Sequence, residues 1–254
     1  MTLPTMPDTL ILDTPFYLAM VRVPAGEFIM GSDPNRDNFA QFDELPQHRV
    51  YVSEFYIGRY EVTNAQYMIY ARVNGLPFEF PTGNDDHPVV HISWGETVGF
   101  CQWLSQVTGE SVRLPTEAEW EKAARGTDGR LYPWGDNWDP TALNSSIGGA
   151  WDTTSVVKHV PAGNALCGAA DMVGNVWEWT ADWYDASEYA DRIKSGLTVQ
   201  DPVGPLGGTH RIMRGGSYYH RQIGTRAARR FKYIPTSRCY DIGFRVVMAT
   251  QSES

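Results

Sequence analysis

The alternation of hydrophobic and polar residues predicts strands near both ends of the chain. Successive side chains of a strand point to opposite faces, so each alternating run can cover one side of a core. The predicted strands cover residues 20–23, 28–31, 48–57, 211–214 and 243–247. A Pro-Ala-Gly turn separates the first two.

Three segments between these strands have apolar residues at helical spacing behind a Ser or Thr that can cap a helix. Ser93 and Thr116 are each followed three residues later by a Glu, which is the capping-box pattern. The predicted helices begin after Thr63, Ser93 and Thr116 and end at Gly75, Gly109 and Gly126. No helical periodicity lasts beyond this point.

Residues 171–184 fit neither pattern. Three tryptophans lie within seven residues, and two carboxylates, Asp171 and Glu178, flank a Gly174-Asn175 pair. The pair predicts a turn that leads into a short buried segment. Carboxylate oxygens and the backbone carbonyls between them could bind one hard cation. Alternatively, Asp171 caps the turn and Glu178 forms an ion pair with an arginine further along the chain.

The order of these elements predicts one α+β domain with a large share of coil. The chain has 254 residues, and its 24 glycines and 16 prolines indicate many loops and turns. We find no internal repeat, linker or low-complexity segment. The predicted domain covers residues 19–250, after a Pro- and Thr-rich N-terminal tail over residues 1–18.

The charge of the chain is unevenly distributed. The formal net charge is −9, yet residues 211–245 contain eight arginines and one lysine against one aspartate. This segment could be a basic face for nucleic acid. However, its arginines alternate with Gly, Ala and aromatic residues, which favours half-buried arginines that pair with carboxylates such as Glu117, Glu121, Asp171 and Glu178. Binding to nucleic acid is therefore not expected.

Three further observations bear on the compartment. No apolar run approaches the ~18 residues of a membrane span, and the N-terminus lacks the pattern of a signal peptide. The cysteines Cys101, Cys167 and Cys239 form no CxxC motif and cannot all pair. We therefore expect a reduced, cytoplasmic protein that does not bind a membrane.

Taken in order, the motifs resemble those of the formylglycine-generating enzyme (sulfatase-modifying factor) family. They extend from about residue 20 to residue 249 and include residues 23–32, 60–67, 88–94, 113–121, 133–135, 174–179, 214–217 and 243–245. The resemblance implies a coil-rich variant of the C-type lectin fold, with few short helices and small antiparallel sheets. It agrees with the prediction made from the hydrophobic pattern.

The resemblance also implies a calcium site within the tryptophan-rich stretch. The family's ligands there correspond to a side chain or carbonyl of Asp171, the carbonyls of Gly174 and Val176, and the carboxylate of Glu178. Six to eight hard oxygens are the ligands that Ca²⁺ prefers. A second family site would begin at Asn144 and Ser145, with Asp152 as the only carboxylate nearby; the later ligands of this family site do not align clearly with this chain.

Oxidases of the family bind Cu(I) through two cysteines that follow the Gly-Gly-Ser motif, five residues apart. Thiolates suit this soft ion. No cysteine lies between Cys167 and Cys239 in this chain, so we expect no copper and no conversion of cysteine to formylglycine. Another metal centre is not indicated either: in the extended chain predicted there, His87 and His91 would lie ~13 Å apart.

The groove that binds peptide in the family remains as a candidate partner site. Its counterpart here would contain aromatic, cationic and polar residues, types that anchor protein interfaces. The candidates are Trp177, Ser217, Tyr218, Tyr219, His220 and Arg221.

We therefore expect a calcium-stabilised, non-catalytic domain that binds a protein or peptide partner. One alternative is a copper-independent oxidase or other enzyme of the same fold, acting on a peptide-derived substrate with Tyr219, His220 and Glu178 as acid–base groups. The other is a variable ligand-binding protein of C-type lectin fold, because some relatives diversify the segment before the Gly-Phe-Arg motif.

Overall fold

The computed structural model describes residues 8–147, 154–155, 160–194, 196 and 198–250. These ranges contain helices α1 (Asn64–Val73), α2 (Trp94–Thr108), α3 (Glu117–Arg125) and α4 (Glu188–Lys194). Their strands are β1 (Thr9–Ile11), β2 (Ala19–Val23), β3 (Gly26–Met30), β4 (His48–Val52), β5 (Phe55–Gly58), β6 (Val112–Arg113), β7 (Trp177–Trp183), β8 (Val199–Gln200), β9 (Arg211–Arg214), β10 (Phe231–Tyr233), β11 (Ile242–Gly243) and β12 (Val247–Ala249). None of the described helices combines the length and apolar character needed to cross a membrane.

The strands form three small sheets. Their strand orders are β1-β2-β5-β12-β6, β10-β9-β7-β11 and β3-β4-β8. The predicted α+β fold with few short helices, small sheets and much coil is confirmed. The pairing is antiparallel, as expected, except that β7–β11 and β4–β8 are parallel.

The three predicted helices are present with their caps. Thr63, Ser93 and Thr116 each accept a hydrogen bond from the backbone three residues on, and the side chain at that position bonds back to the cap. Gly109 ends α2 in the left-handed conformation, with φ of 74°. Capping residues are local signals, which is why the sequence predicted these ends.

The predicted strand over residues 48–57 is divided into β4 and β5, which belong to different sheets. At the break, the Asp201 carboxylate accepts hydrogen bonds from Ser53 N at 2.6 Å and Ser53 Oγ at 2.7 Å. Asp201 lies 148 positions from Ser53 in the sequence. The hydrophobic pattern of residues 48–57 therefore could not indicate the break.

Further segments differ from the sequence-based expectation. The predicted strand over residues 243–247 is divided into β11 and β12, which belong to different sheets. Helix α4 was not predicted; it has seven residues with only Tyr189 buried, too few to show a period. Within the predicted N-terminal tail, β1 pairs with β2, and Leu12 and Leu18 are buried.

The core consists of two clusters of buried hydrophobic residues. One packs α1 and α2 against β7 and β12, and the other packs α3 against β2 to β5. Several arginines and carboxylates are also fully buried, among them Arg214, Arg230, Glu117 and Glu121. Because an isolated buried charge is costly, these groups must be paired.

Candidate functional site

The arginines of β9 and the following segment pair with carboxylates inside the molecule. Arg214 contacts Glu117 at 2.8 Å and Glu121 at 2.5 Å, and Arg230 contacts Glu117 at 2.8 Å. Burial alone would raise the pKa of Glu117, but the charges of Arg230 and Arg214 outweigh it and lower that pKa. The predicted pairing of the arginines with Glu117 and Glu121 is confirmed for these residues, although Arg214 and Arg230 are fully buried and not half-buried as predicted.

Two more buried pairs extend this arrangement. Arg226 contacts Asp37 at 2.5 Å and Glu44 at 2.6 Å. Asp37 and Glu44 come from the loop before β4 and were not predicted as partners. The segment from residue 214 to residue 230 is therefore anchored from beneath by charge-assisted hydrogen bonds, which are stronger than neutral ones.

The tryptophan-rich stretch turns at Gly174 and Asn175, whose φ angles are 83° and 55°, and then enters the buried strand β7. This is the turn and buried segment that the sequence predicts. Room at Gly174 is also restricted, because a Cβ there would lie 2.5 Å from the carbonyl oxygen of Asn144.

Glu178, one of the predicted calcium ligands, is engaged elsewhere. Its oxygens accept hydrogen bonds from Arg245 Nε and Nη2, both at 2.6 Å, and from Trp120 Nε1 at 2.8 Å. All three side chains are fully buried. In this structure Glu178 forms the ion pair with an arginine that the sequence offered as the alternative to cation binding.

A different carboxyl group beside the turn, that of Glu61, has one oxygen without a hydrogen-bond partner among the described residues. Glu61 Oε1 accepts a hydrogen bond from Asn175 Nδ2 at 3.1 Å, while the buried Oε2 has no hydrogen-bond partner among the residues that the structure describes. Burial, followed by the negative charge of Asp171, raises the pKa of Glu61 well above its ordinary value. A hard cation shared with Asp171 would fit this oxygen. Sequence analysis missed Glu61, because its nearness to Asp171 is purely tertiary.

No group of three or more His, Cys, Asp or Glu side chains within the described ranges is arranged to hold a metal ion. A cation beside Asp171 would therefore need backbone carbonyls as well. At the second site, Asn144 and Ser145 are buried, and Asn144 O accepts a hydrogen bond from Asn175 N at 2.9 Å. Asp152 lies outside the described residues.

The candidate partner-binding residues differ in how far their side chains are buried. Trp177 is only 2% exposed and Ser217 is fully buried, so neither can present its side chain to a partner. The Trp177 ring instead stacks under Phe231, with 5.2 Å between ring centroids. Tyr218 and His220 are half-buried, whereas Tyr219 and Arg221 are exposed.

Exposed apolar side chains are concentrated in the segment around these residues. Tyr219 is 73% exposed and Tyr240 is 72% exposed, and four further side chains are at least a third exposed. We define the aromatic surface as Tyr219, Ile223, Phe231, Tyr233, Ile234 and Tyr240. Scattered exposed hydrophobic residues are ordinary, but six within 22 positions mark a candidate interaction site.

A chain of three polar side chains lies beside the aromatic surface. Ser217 Oγ donates a hydrogen bond to Asp241 Oδ2 at 2.9 Å and lies 2.8 Å from His220 Nδ1. Burial lowers the pKa of His220, against the opposing charge of Asp241. Asp241 was missed by sequence analysis, because it reaches Ser217 across 24 positions.

The fold and this site define a coil-rich α+β protein with a C-type-lectin-like architecture and a rigidly supported aromatic surface. The sequence profile described as "Sulfatase-modifying factor enzyme 1-like domain" matches residues 14–250, and the chain belongs to this family. The formylglycine-generating enzyme of Streptomyces coelicolor is 31% identical over an alignment that covers 89% of this chain and 87% of that protein.

Solved structures agree with this assignment. PvdO from Pseudomonas aeruginosa superposes with a TM-score of 0.84 at 26% identity, covering 97% of this chain and all of that one. Treponema denticola variable protein 1 has a TM-score of 0.76 at 24% identity and covers 94% of this chain and 98% of that one. At that identity, the second likeness concerns the fold alone.

Proposed function

We propose that this chain is a binding module that recognises a peptide or protein through the aromatic surface. The observation that carries the proposal is the contrast within one segment. Tyr219 and Tyr240 are largely exposed, while the neighbouring Arg226 and Arg230 are fully buried in ion pairs. A rigid support reduces the ordering that binding requires, and exposed tyrosines suit recognition.

The missing cysteines support binding over formylglycine formation. No cysteine lies between Cys167 and Cys239, so the segment after Gly216 offers no pair of thiolates to Cu(I). Cys101 is buried in the core, where burial raises the pKa of its thiol.

The proposal can be tested by selecting ligands from a phage-displayed library of random peptides with the immobilised full chain. Selected peptides should lose binding to the double variant Tyr219→Ala/Tyr240→Ala. They should still bind Tyr17→Ala, a matched control that removes another exposed tyrosine (65% exposed). Failure to enrich any peptide, or equal binding to the double variant, would overturn the proposed site.

A second candidate, a variable ligand-binding protein, is favoured by the same division between buried and exposed residues. The aromatic surface can change its side chains without disturbing the ion pairs below it. A library randomised at the other five surface positions, with Phe231 kept because its ring stacks on Trp177, should therefore yield mostly folded chains whose members differ in the peptides they select. A library that yields mostly unfolded chains would contradict this candidate.

The enzymatic alternative rests on His220 and on the similarity to a relative named as an enzyme, the formylglycine-generating enzyme of Streptomyces coelicolor. A half-buried histidine beside an exposed surface could act as a base on a bound substrate. Incubating a bacterial metabolite extract with the protein, followed by mass spectrometry, tests this candidate. A compound consumed by the natural chain but not by His220→Phe would favour an enzyme, and an unchanged extract would count against it.

We also propose that a calcium ion stabilises the turn after Asp171, held by Asp171, the carbonyls of Gly174 and Val176, and the spare oxygen of Glu61. The support is the orphaned Glu61 Oε2, whose pKa is raised by burial and by Asp171. The ion would neutralise two carboxyl groups that otherwise disfavour each other's charge.

A further inference from the structure

The hydrogen bonds of Ser217 determine which nitrogen of His220 carries the proton. A serine hydroxyl has one hydrogen, and a carboxylate can only accept. Because Ser217 Oγ donates to Asp241 Oδ2 at 2.9 Å, its oxygen must accept at the other contact, 2.8 Å from His220 Nδ1. The neutral imidazole is therefore protonated at Nδ1 and unprotonated at Nε2.

This arrangement differs from that of a serine hydrolase. In a catalytic triad the carboxylate bonds to the histidine, and the histidine accepts the proton of an accessible serine. Here the carboxylate bonds to the serine, and Ser217 is fully buried. Ser217 is therefore a positioning residue and not a nucleophile, which leaves His220 Nε2 as the ring nitrogen available to a ligand.

The ring of His220 is held in place on several sides. The edge of the ring meets Trp177, with 5.2 Å between centroids, and its backbone N–H bonds to Ser217 O at 2.9 Å. Gly224 lies so close that an added Cβ would be 2.8 Å from His220 Cδ2. Nε2 makes no hydrogen bond to any residue within the described ranges and is not among their buried unsatisfied atoms.

Burial favours the neutral ring of His220 near pH 7. It lowers the pKa of His220; the negative charge of Asp241 opposes this, and the positive charge of Arg229 adds a smaller lowering effect. Tyr219 adjoins the ring, with 6.3 Å between centroids, and belongs to the aromatic surface.

We infer that His220 Nε2, oriented by Ser217 and Asp241, accepts a hydrogen bond from an N–H or O–H group of the ligand that binds to the aromatic surface. The inference rests on the proposed binding function and names the chemical group that the site selects. Protonation removes the acceptor, so binding should weaken as the pH falls through the pKa of His220.

The tautomer can be measured without any ligand. Long-range ¹H–¹⁵N spectra of the full chain labelled at histidine, with His220 assigned through His220→Phe, should show Nδ1 protonated and Nε2 unprotonated at pH 7.5. Asp241→Ala frees the Ser217 hydrogen to donate to Nδ1, which should move the proton to Nε2. If Asp241→Ala does not fold, Ser217→Ala should give an averaged signal from both tautomers.

A natural chain protonated at Nε2, or one with averaged tautomers, would overturn the inference even where peptides bind. The acceptor role is tested with the selected peptides, whose affinity for His220→Phe should fall about tenfold, as expected when a ligand donor loses its partner. Unchanged affinity at pH 7.5 would overturn that role while leaving the binding function intact. A lack of selected peptides would overturn the binding function and, with it, the acceptor role.

Discussion

The carboxylate of Glu178 is suited both to binding a cation and to pairing with an arginine. In this structure it bonds to Arg245 and Trp120. An arginine and a carboxylate in bidentate contact satisfy each other, whereas either one alone would be a buried, unpaired charge.

We therefore expect Glu178→Gln to destabilise the protein by about 3 kcal/mol, because Arg245 keeps its charge and loses its counter-ion. Urea denaturation at pH 7 measures the change. Asp191→Asn is the control, since it breaks the exposed ion pair with Lys194 and should have little effect. Equal stability of Glu178→Gln and the natural chain would contradict the structural role of the pair.

Glu61 provides a prediction about calcium. The folded-state pKa of Glu61 is raised, so its contribution to stability is present below its unfolded pKa and is lost as pH rises through the folded pKa. At pH 7 without a cation, Glu61→Gln should be at least as stable as the natural chain, because Gln keeps the contact with Asn175 and removes the repulsion by Asp171.

With calcium bound, the natural chain should be more stable than Glu61→Gln. At about 100 times its Kd, calcium adds roughly 2.7 kcal/mol to the natural chain, and Glu61→Gln should gain less. Thermal melts in chelator and in excess calcium compare the two proteins. No calcium-dependent change in the Tm of the natural chain would rule out the proposed site.

At the scale of elements, α3 connects the local signals of the sequence to the buried ion pairs. Its capping box at Thr116 sets where the helix begins, and this start places Glu117 and Glu121 one turn apart, facing Arg214. The cap therefore positions the carboxylates as well as starting the helix.

Thr116→Ala should cost about 1 kcal/mol of stability through loss of the cap. Thr127→Ala, an exposed threonine just beyond the helix, should leave stability nearly unchanged. Chemical denaturation of both variants provides the comparison. If the two variants were equally stable, the cap of α3 would contribute nothing measurable.

At the scale of the whole molecule, stability and recognition lie in different side chains of one segment. Buried arginines at positions 214, 226, 230 and 245 hold the segment to the rest of the chain. The most exposed members of the aromatic surface, Tyr219 and Tyr240, contact the rings of His220 and His91, neither of which is fully buried.

Tyr219→Ser and Tyr240→Ser together should therefore change stability by less than about 1 kcal/mol and still abolish binding of the selected peptides. Phe231→Ser should cost more, because its ring stacks on Trp177. Melting curves and peptide binding measured on the same samples distinguish the two effects. A strongly destabilised Tyr219/Tyr240 variant would show that these side chains belong to the core.

The sequence by itself determined three of the four described helices with their caps, the coil-rich α+β class, the family and the pairing of arginines with carboxylates. These features depend on local backbone hydrogen bonds, on periodicity and on the high cost of burying an unpaired charge. Tertiary structure decided which partners meet. Asp37 and Glu44 reach Arg226 from more than 180 positions away, Glu61 lies beside Asp171, and Asp241 orients His220 through Ser217. Such contacts leave no periodic signal, because packing between distant segments brings the side chains together only after the chain has folded.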